Sequence, residues 1–156
     1  MILERRKSKD LSRLALARFA NQAQRIVGLS GEVNILLTGD AEIQRLNLQF
    51  RRKDQPTDVL SFPNDQPLAG GDIAISLQTA RTQATAIGHN LLTEVKVLIL
   101  HGMLHLAGHD HETDRGQMRK LERRLRAELN LPAGLIERAT ERTGPSPRKA
   151  SKRRPW

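Results

Sequence analysis

TEVKVLILHGMLHLAGHDH, residues 93–111, decides how this chain folds. Its apolar positions Val95, Val97, Leu98, Ile99 and Leu100 cover nearly every side of a helix that begins at Thr93. A helix apolar all round belongs at the centre of a domain, not on its surface. His101 and His105, four residues apart, stand one turn from each other on one face, close enough to share an ion. Gly108 can take a positive φ, end the helix and turn the chain back. His111 then follows, placed to close a third ligand around the same point.

A lone histidine on an apolar helix is usually a satisfied core residue. Several imidazoles buried together without a metal would leave polar nitrogens without partners, and that weighs toward an ion. The chain has no cysteine, so any transition metal must be bound through imidazole or carboxylate. An all-imidazole shell makes Zn²⁺ the first choice, one per chain, with Ni or Cu behind it. Three neutral imidazoles leave a tetrahedral Zn²⁺ one open position for water, whose pKa would fall from about 16 to about 7. His109 lies in the same loop, and its spacing gives its side chain no clear direction. His89 follows Gly88 in a helix-ending turn and reads as exposed.

Outward from this helix, the elements are shorter. Asp10 is placed to cap a helix whose stripe runs Leu11, Leu14, Ala15, Phe19, Ala23 and Ile26, ending at Gly28. Val33, Ile35 and Leu37 alternate as a half-buried strand. Asp40 is expected to cap a second helix with Ile43, Leu46 and Phe50 on one face. Pro56 stops helix continuation, and Val59 to Phe62 form a short strand ended by Pro63. A turn-rich loop leads to the strand Ile73-Ala74-Ile75, and Ser76 caps a third helix running to Gly88. A last amphipathic helix carries Met118, Leu121, Leu125 and Leu129 before Pro132. Helices outnumber short strands and the strands cluster early, which implies an α+β domain.

At 156 residues the chain suits one domain, with 38% hydrophobic residues to build its core. The expected boundaries are a domain over 1–143 and a basic, disordered tail over 144–156. Lys and Arg number 26 against 17 Asp and Glu, a formal net charge of +9. Five of those cations, Arg148, Lys149, Lys152, Arg153 and Arg154, lie in the tail with no acid beside them. The body stays basic without them, which suits a polyanion partner as well as simple solubility. Aromatic residues are only 3%, which argues against a nucleic-acid reader built of many stacking platforms. The first ten residues lack the apolar run of a signal peptide, and no stretch is long enough to span a bilayer, so a cytoplasmic protein is expected.

The ligand spacing H-x-x-x-H-x-x-G-x-x-H matches the metzincin proteases at every ligand position. Those enzymes carry a Glu base directly after the first His; here that position is Gly102. The segment instead resembles the YbeY family, in which Gly follows the first histidine. FRRKDQPTDVLSFP, residues 50–63, and GDIAIS, residues 71–76, are similar to two further marked stretches of that family. The resemblance runs from about Asp40 to Leu131, departing at Arg52, where the family often has Gly. It implies a zincin-like single domain of α+β class, with a small mixed sheet packed against several helices and a central metal-binding helix. It also implies a single-strand-specific endoribonuclease acting in ribosomal-RNA processing at the small-subunit 3′ end and in ribosome quality control. RNA, the small subunit and ribosome-associated proteins would be its partners. By the same resemblance the zinc ligands are His101, His105 and His111, and the catalytic arginine is Arg51.

Arg51 suits the non-bridging phosphate oxygens, because a guanidinium forks onto phosphate and stays charged. Glu94, on roughly the His101 face, and Asp110, between the ligands in sequence, are candidates to orient imidazole N–H groups; each is equally an ordinary capping acid. Asp58 and Asp72 sit in matching motifs with turn or strand-end roles open to them. No general base is assigned. Two other readings keep the histidines: a metalloprotease-like hydrolase with a replacement base, and a non-catalytic, zinc-stabilised ribosome-assembly factor.

Overall fold

Alternation along short apolar strands builds a sheet that helices cover unequally on its two faces. The computed structural model describes residues 1–6, 8–66 and 68–132, so the expected boundary at 143/144 and the basic tail lie outside the described residues. The strands are β1 (Ile2–Glu4), β2 (Val33–Thr38), β3 (Val59–Pro63) and β4 (Gly71–Ser76). The helices are α1 (Arg13–Val27), α2 (Asp40–Arg51), α3 (Leu77–Ile87), α4 (Leu91–Leu106) and α5 (Gln117–Glu128). The sheet order is β1-β2-β4-β3, parallel except for the antiparallel edge strand β3, so the sheet is mixed as expected.

Because side chains alternate across a strand, register sorts the two faces. Ile35 pairs with Ile73 and Leu37 with Ile75, and with Val59 these enter the main core beneath α1, α3, α4 and α5. Leu60 and Ala74 point the other way, into a smaller cluster with Ile43, Leu46, Leu36 and Phe62 beneath α2. Helix α4 is buried on all sides, with every residue from Val97 to Leu106 inaccessible, as its composition requires. No helix among the described residues is long and apolar enough to cross a membrane.

Several local expectations are corrected. Ser12, not Asp10, caps α1, accepting from the Ala15 N–H at 3.1 Å, while Asp10 pairs with Arg81 at 2.7 Å. Gly39 occupies the cap position of α2, which makes Asp40 its first residue. The Asp40 carboxylate accepts from the Thr79 hydroxyl at 2.7 Å and from the Ser76 hydroxyl, tying the starts of α2 and α3 together. Ser76 does cap α3, and Asn90 caps α4, which starts at Leu91, two residues before Thr93. Leu14 and Phe50, expected on buried stripes, are 61% and 58% exposed. Strand β1 was not anticipated, being only three residues long.

Candidate metal centre

The cluster begins with how closely α4 approaches the sheet. A Cβ on Gly102 would meet Ile73 and the Ser61 hydroxyl at 3.1 Å, tighter than a side chain normally tolerates. Ser61 uses that closeness to donate to the Gly102 carbonyl at 3.1 Å. Position 102 is therefore a packing glycine facing β3 and β4, and a carboxylate there would collide with the sheet. His101 and His105 turn away on the adjacent side of α4, their Nε2 atoms 3.1 Å apart. Gly108, at φ +95°, reverses the chain after the helix. Asp110 then fixes the following turn, its carboxylate accepting from the Glu112 N–H at 3.0 Å. That turn brings His111 back, and ring centroids of 4.7, 5.6 and 5.7 Å separate the three imidazoles.

Each of the three offers one ligand atom within 4.8 Å of the others, close enough to hold one metal ion. Nitrogens around a tetrahedral zinc, each about 2.0–2.1 Å from it, would stand about 3.3 Å apart. The 3.1 Å edge between His101 and His105 already fits that spacing. A carboxylate fixes which nitrogen is available. Glu122 Oε2 lies 2.7 Å from His101 Nδ1, and both side chains are buried, at 2% and 0% exposure. A carboxylate accepts, so Nδ1 carries the proton and Nε2 keeps its lone pair turned toward His105.

Glu122 escaped the sequence reading. The signal was present: an acid four residues after Met118 and three before Leu125 lies on the buried stripe of an amphipathic helix. The two acids considered instead have other partners. Glu94 contacts His89 Nε2 at 2.5 Å, and His89, expected to be exposed, has a side chain only 16% accessible. Asp110 shapes the ligand-bearing turn. His109 is not among the converging three.

Arg51 ends α2, and the next residue, Arg52, takes the left-handed conformation at φ +56°. Buried Asn47 holds the connector beyond them, its side-chain amide donating to the Gln55 carbonyl at 2.8 Å and its backbone carbonyl accepting from the Lys53 N–H at 3.3 Å. Partial burial draws the Arg51 guanidinium below its ordinary value, while the carboxylate of Glu112, the residue after His111, pulls it back up. Asp58 is structural: its carboxylate accepts from the Val59 N–H at 2.8 Å and from Gln83 Nε2 at 3.2 Å. Asp72 accepts from Asn34 Nδ2 at 3.1 Å across the β2–β4 pair.

Fold and site together define a mixed α/β domain built around a histidine cluster, two of its three members buried, that can hold a metal ion. The chain belongs to the family described as Endoribonuclease YbeY, whose family model matches residues 3–130. It is 54% identical over 134 residues to an Endoribonuclease YbeY of Solibacter usitatus, covering 86% of this chain and 90% of that protein. An Endoribonuclease YbeY of Koribacter versatilis is 47% identical over 154 residues, 99% of each chain. Among solved structures, a Thermotoga maritima protein determined in solution matches with a TM-score of 0.56 and 26% identity, over 95% of this chain and all of that one.

Proposed function

We propose that this protein is a zinc-dependent endoribonuclease of zincin-like architecture that cuts single-stranded RNA in the cytoplasm. Its role would be 3′-end maturation of small-subunit ribosomal RNA and ribosome quality control. The observation that carries the reading is the convergence of His101, His105 and His111, with Arg51 in electrostatic reach of Glu112, the residue after His111. His101, His105 and His111 would hold the ion, and Glu122 keeps His101 in the ligating tautomer. When bound, zinc supplies positive charge for phosphate oxygens and acidifies water. Arg51 neutralises a non-bridging phosphate oxygen and orients the phosphodiester. Gly102 removes the base a zinc protease would place there, which supports RNA over peptide as the substrate. Among the described residues three ligands converge rather than four, which supports an open site over a purely structural one.

The test is cleavage of single-stranded and duplex ribosomal RNA by metal-analysed protein, beside His105→Ala and Arg51→Ala. About one zinc per chain is expected, lost in His105→Ala but kept in Arg51→Ala. Arg51→Ala should lose roughly a hundredfold in cleavage rate, as for removal of one transition-state donor. Zinc retained with all three proteins cutting alike would overturn the nuclease reading in favour of an assembly factor.

A further inference from the structure

Two of the chain's three phenylalanines meet at the surface. Phe50 and Phe62 pack edge to face, with ring centroids 5.1 Å apart and planes inclined at 65°. Such a contact covers at most one face of a ring, and Phe50 remains 58% exposed. The pair lines a cleft of about 570 Å³ on the α2 side of the sheet, together with Leu3, Leu36, Leu46 and Arg5.

The surrounding charge indicates the occupant. Arg51, Arg52 and Lys53 follow Phe50 without interruption; on the cleft wall Arg5 is paired with Glu42 at 2.9 Å and Asp72 is bonded by Asn34 Nδ2, so the cations offered to a ligand are those after Phe50. An apolar ring face beside consecutive cations suits a nucleotide, which offers a base to the ring and a phosphate to the cations. The position also suits a strand that reaches the histidine cluster. Phe50 and Arg51 are consecutive on the last turn of α2, about 100° apart around it. Phe62 directly follows Ser61, whose hydroxyl bonds the carbonyl beside His101, and the two side chains leave edge strand β3 on opposite faces. A strand crossing the β3 edge would pass from the aromatic pair to the cluster within a few nucleotides. The low aromatic content excludes a sheet-wide platform and leaves room for one pair.

We infer that Phe50, braced by Phe62, is a nucleobase subsite: one base of a single strand stacks on the open face of Phe50 while flanking phosphates meet Arg52 and Lys53. The inference rests on the single-stranded RNA reading above. Its test is equilibrium binding of the zinc-loaded full chain to fluorescent oligouridylate and to an abasic ribose-phosphate oligomer of equal length, read before cleavage sets in. Wild type should prefer oligouridylate. Phe50→Ala should weaken oligouridylate binding about 5- to 50-fold and leave the abasic oligomer unchanged, while Phe50→Trp keeps or tightens it. Equal losses on both oligomers, or unchanged oligouridylate binding by Phe50→Ala, would overturn the subsite and assign the cleft to a protein partner. A wild type that binds neither oligomer would overturn the single-strand reading and the subsite with it. A failure confined to Phe50 would leave that reading standing.

Discussion

Helix α4 is party to two histidine–carboxylate pairs, each with a buried carboxylate, of nearly the same chemistry and different use. Near its start Glu94, fully buried, holds His89 at 2.5 Å; two turns later His101 is held by Glu122 at 2.7 Å. The first pair spans five residues and latches the loop after α3 onto the first turn of α4. The second spans 21 residues and joins α5 to α4. What separates them is where the other imidazole nitrogen looks. That of His101 faces His105 and the returning His111, whereas His89 is not among the histidines that converge. A histidine held by a buried carboxylate is therefore no mark of a site; convergence of the remaining nitrogens is.

The largest effect should come from the pair at the cluster. Glu122→Ala is expected to weaken zinc binding about 10- to 100-fold, as removal of an outer partner of a ligand histidine does. Competition with a chromogenic chelator reads this directly. Zinc affinity unchanged from wild type would mean that Glu122 serves only packing, and the contrast between the pairs would collapse. His89→Ala should do the opposite. It leaves the Glu94 carboxylate buried with one partner fewer, at a cost of about 1–3 kcal/mol in stability, with zinc stoichiometry intact. Denaturant melts beside metal analysis check it, and zinc lost in parallel with stability would show that the two pairs act as one unit.

The same contrast explains what the sequence could reveal. His101, His105 and His111 were legible because a helical turn and a glycine reversal place them by local geometry alone. The alternation of β2, β3 and β4 set the faces of the sheet. The burial of Glu122 was legible from its place on the α5 stripe, but its partner was not, because His101 lies 21 residues away and only tertiary packing brings them together. Glu94 drew attention for the converse reason: its helical register fitted His101, and nothing local disclosed that His89 would fold back onto it. Strand β1 has three residues, too few for a period to register, and exists only because β2 pairs with it. Phe50 obeys the apolar period of α2 yet faces solvent, because the α2-side cluster ends at Leu46 and Phe62.

The smallest effect should come from the device that delivers Glu122 to its place. Helix α5 has Gly116 at its cap position, with no side chain to offer. Asp114 supplies the missing acceptors, taking the Gly116 N–H at 2.8 Å and the Met118 N–H at 2.9 Å. Burial acts to raise the Asp114 carboxyl, but those two amides, with His111 and His109 nearby, outweigh it and hold it below its ordinary value. A carboxyl depressed on folding stabilises the fold fully above its unfolded pKa of about 3.9, and that contribution fades as pH falls through the lower native value. Asp114→Asn keeps one acceptor oxygen but loses the other and the charge at the start of α5, and should therefore cost about 0.5–1 kcal/mol near neutral pH. In chelator-treated protein, the gap between wild-type and variant melting should hold steady down to about pH 5 and close under stronger acid. A gap that persists through the acid range would show that the carboxylate's charge is not what holds α5. The link from this turn to Glu122 would then rest on shape alone.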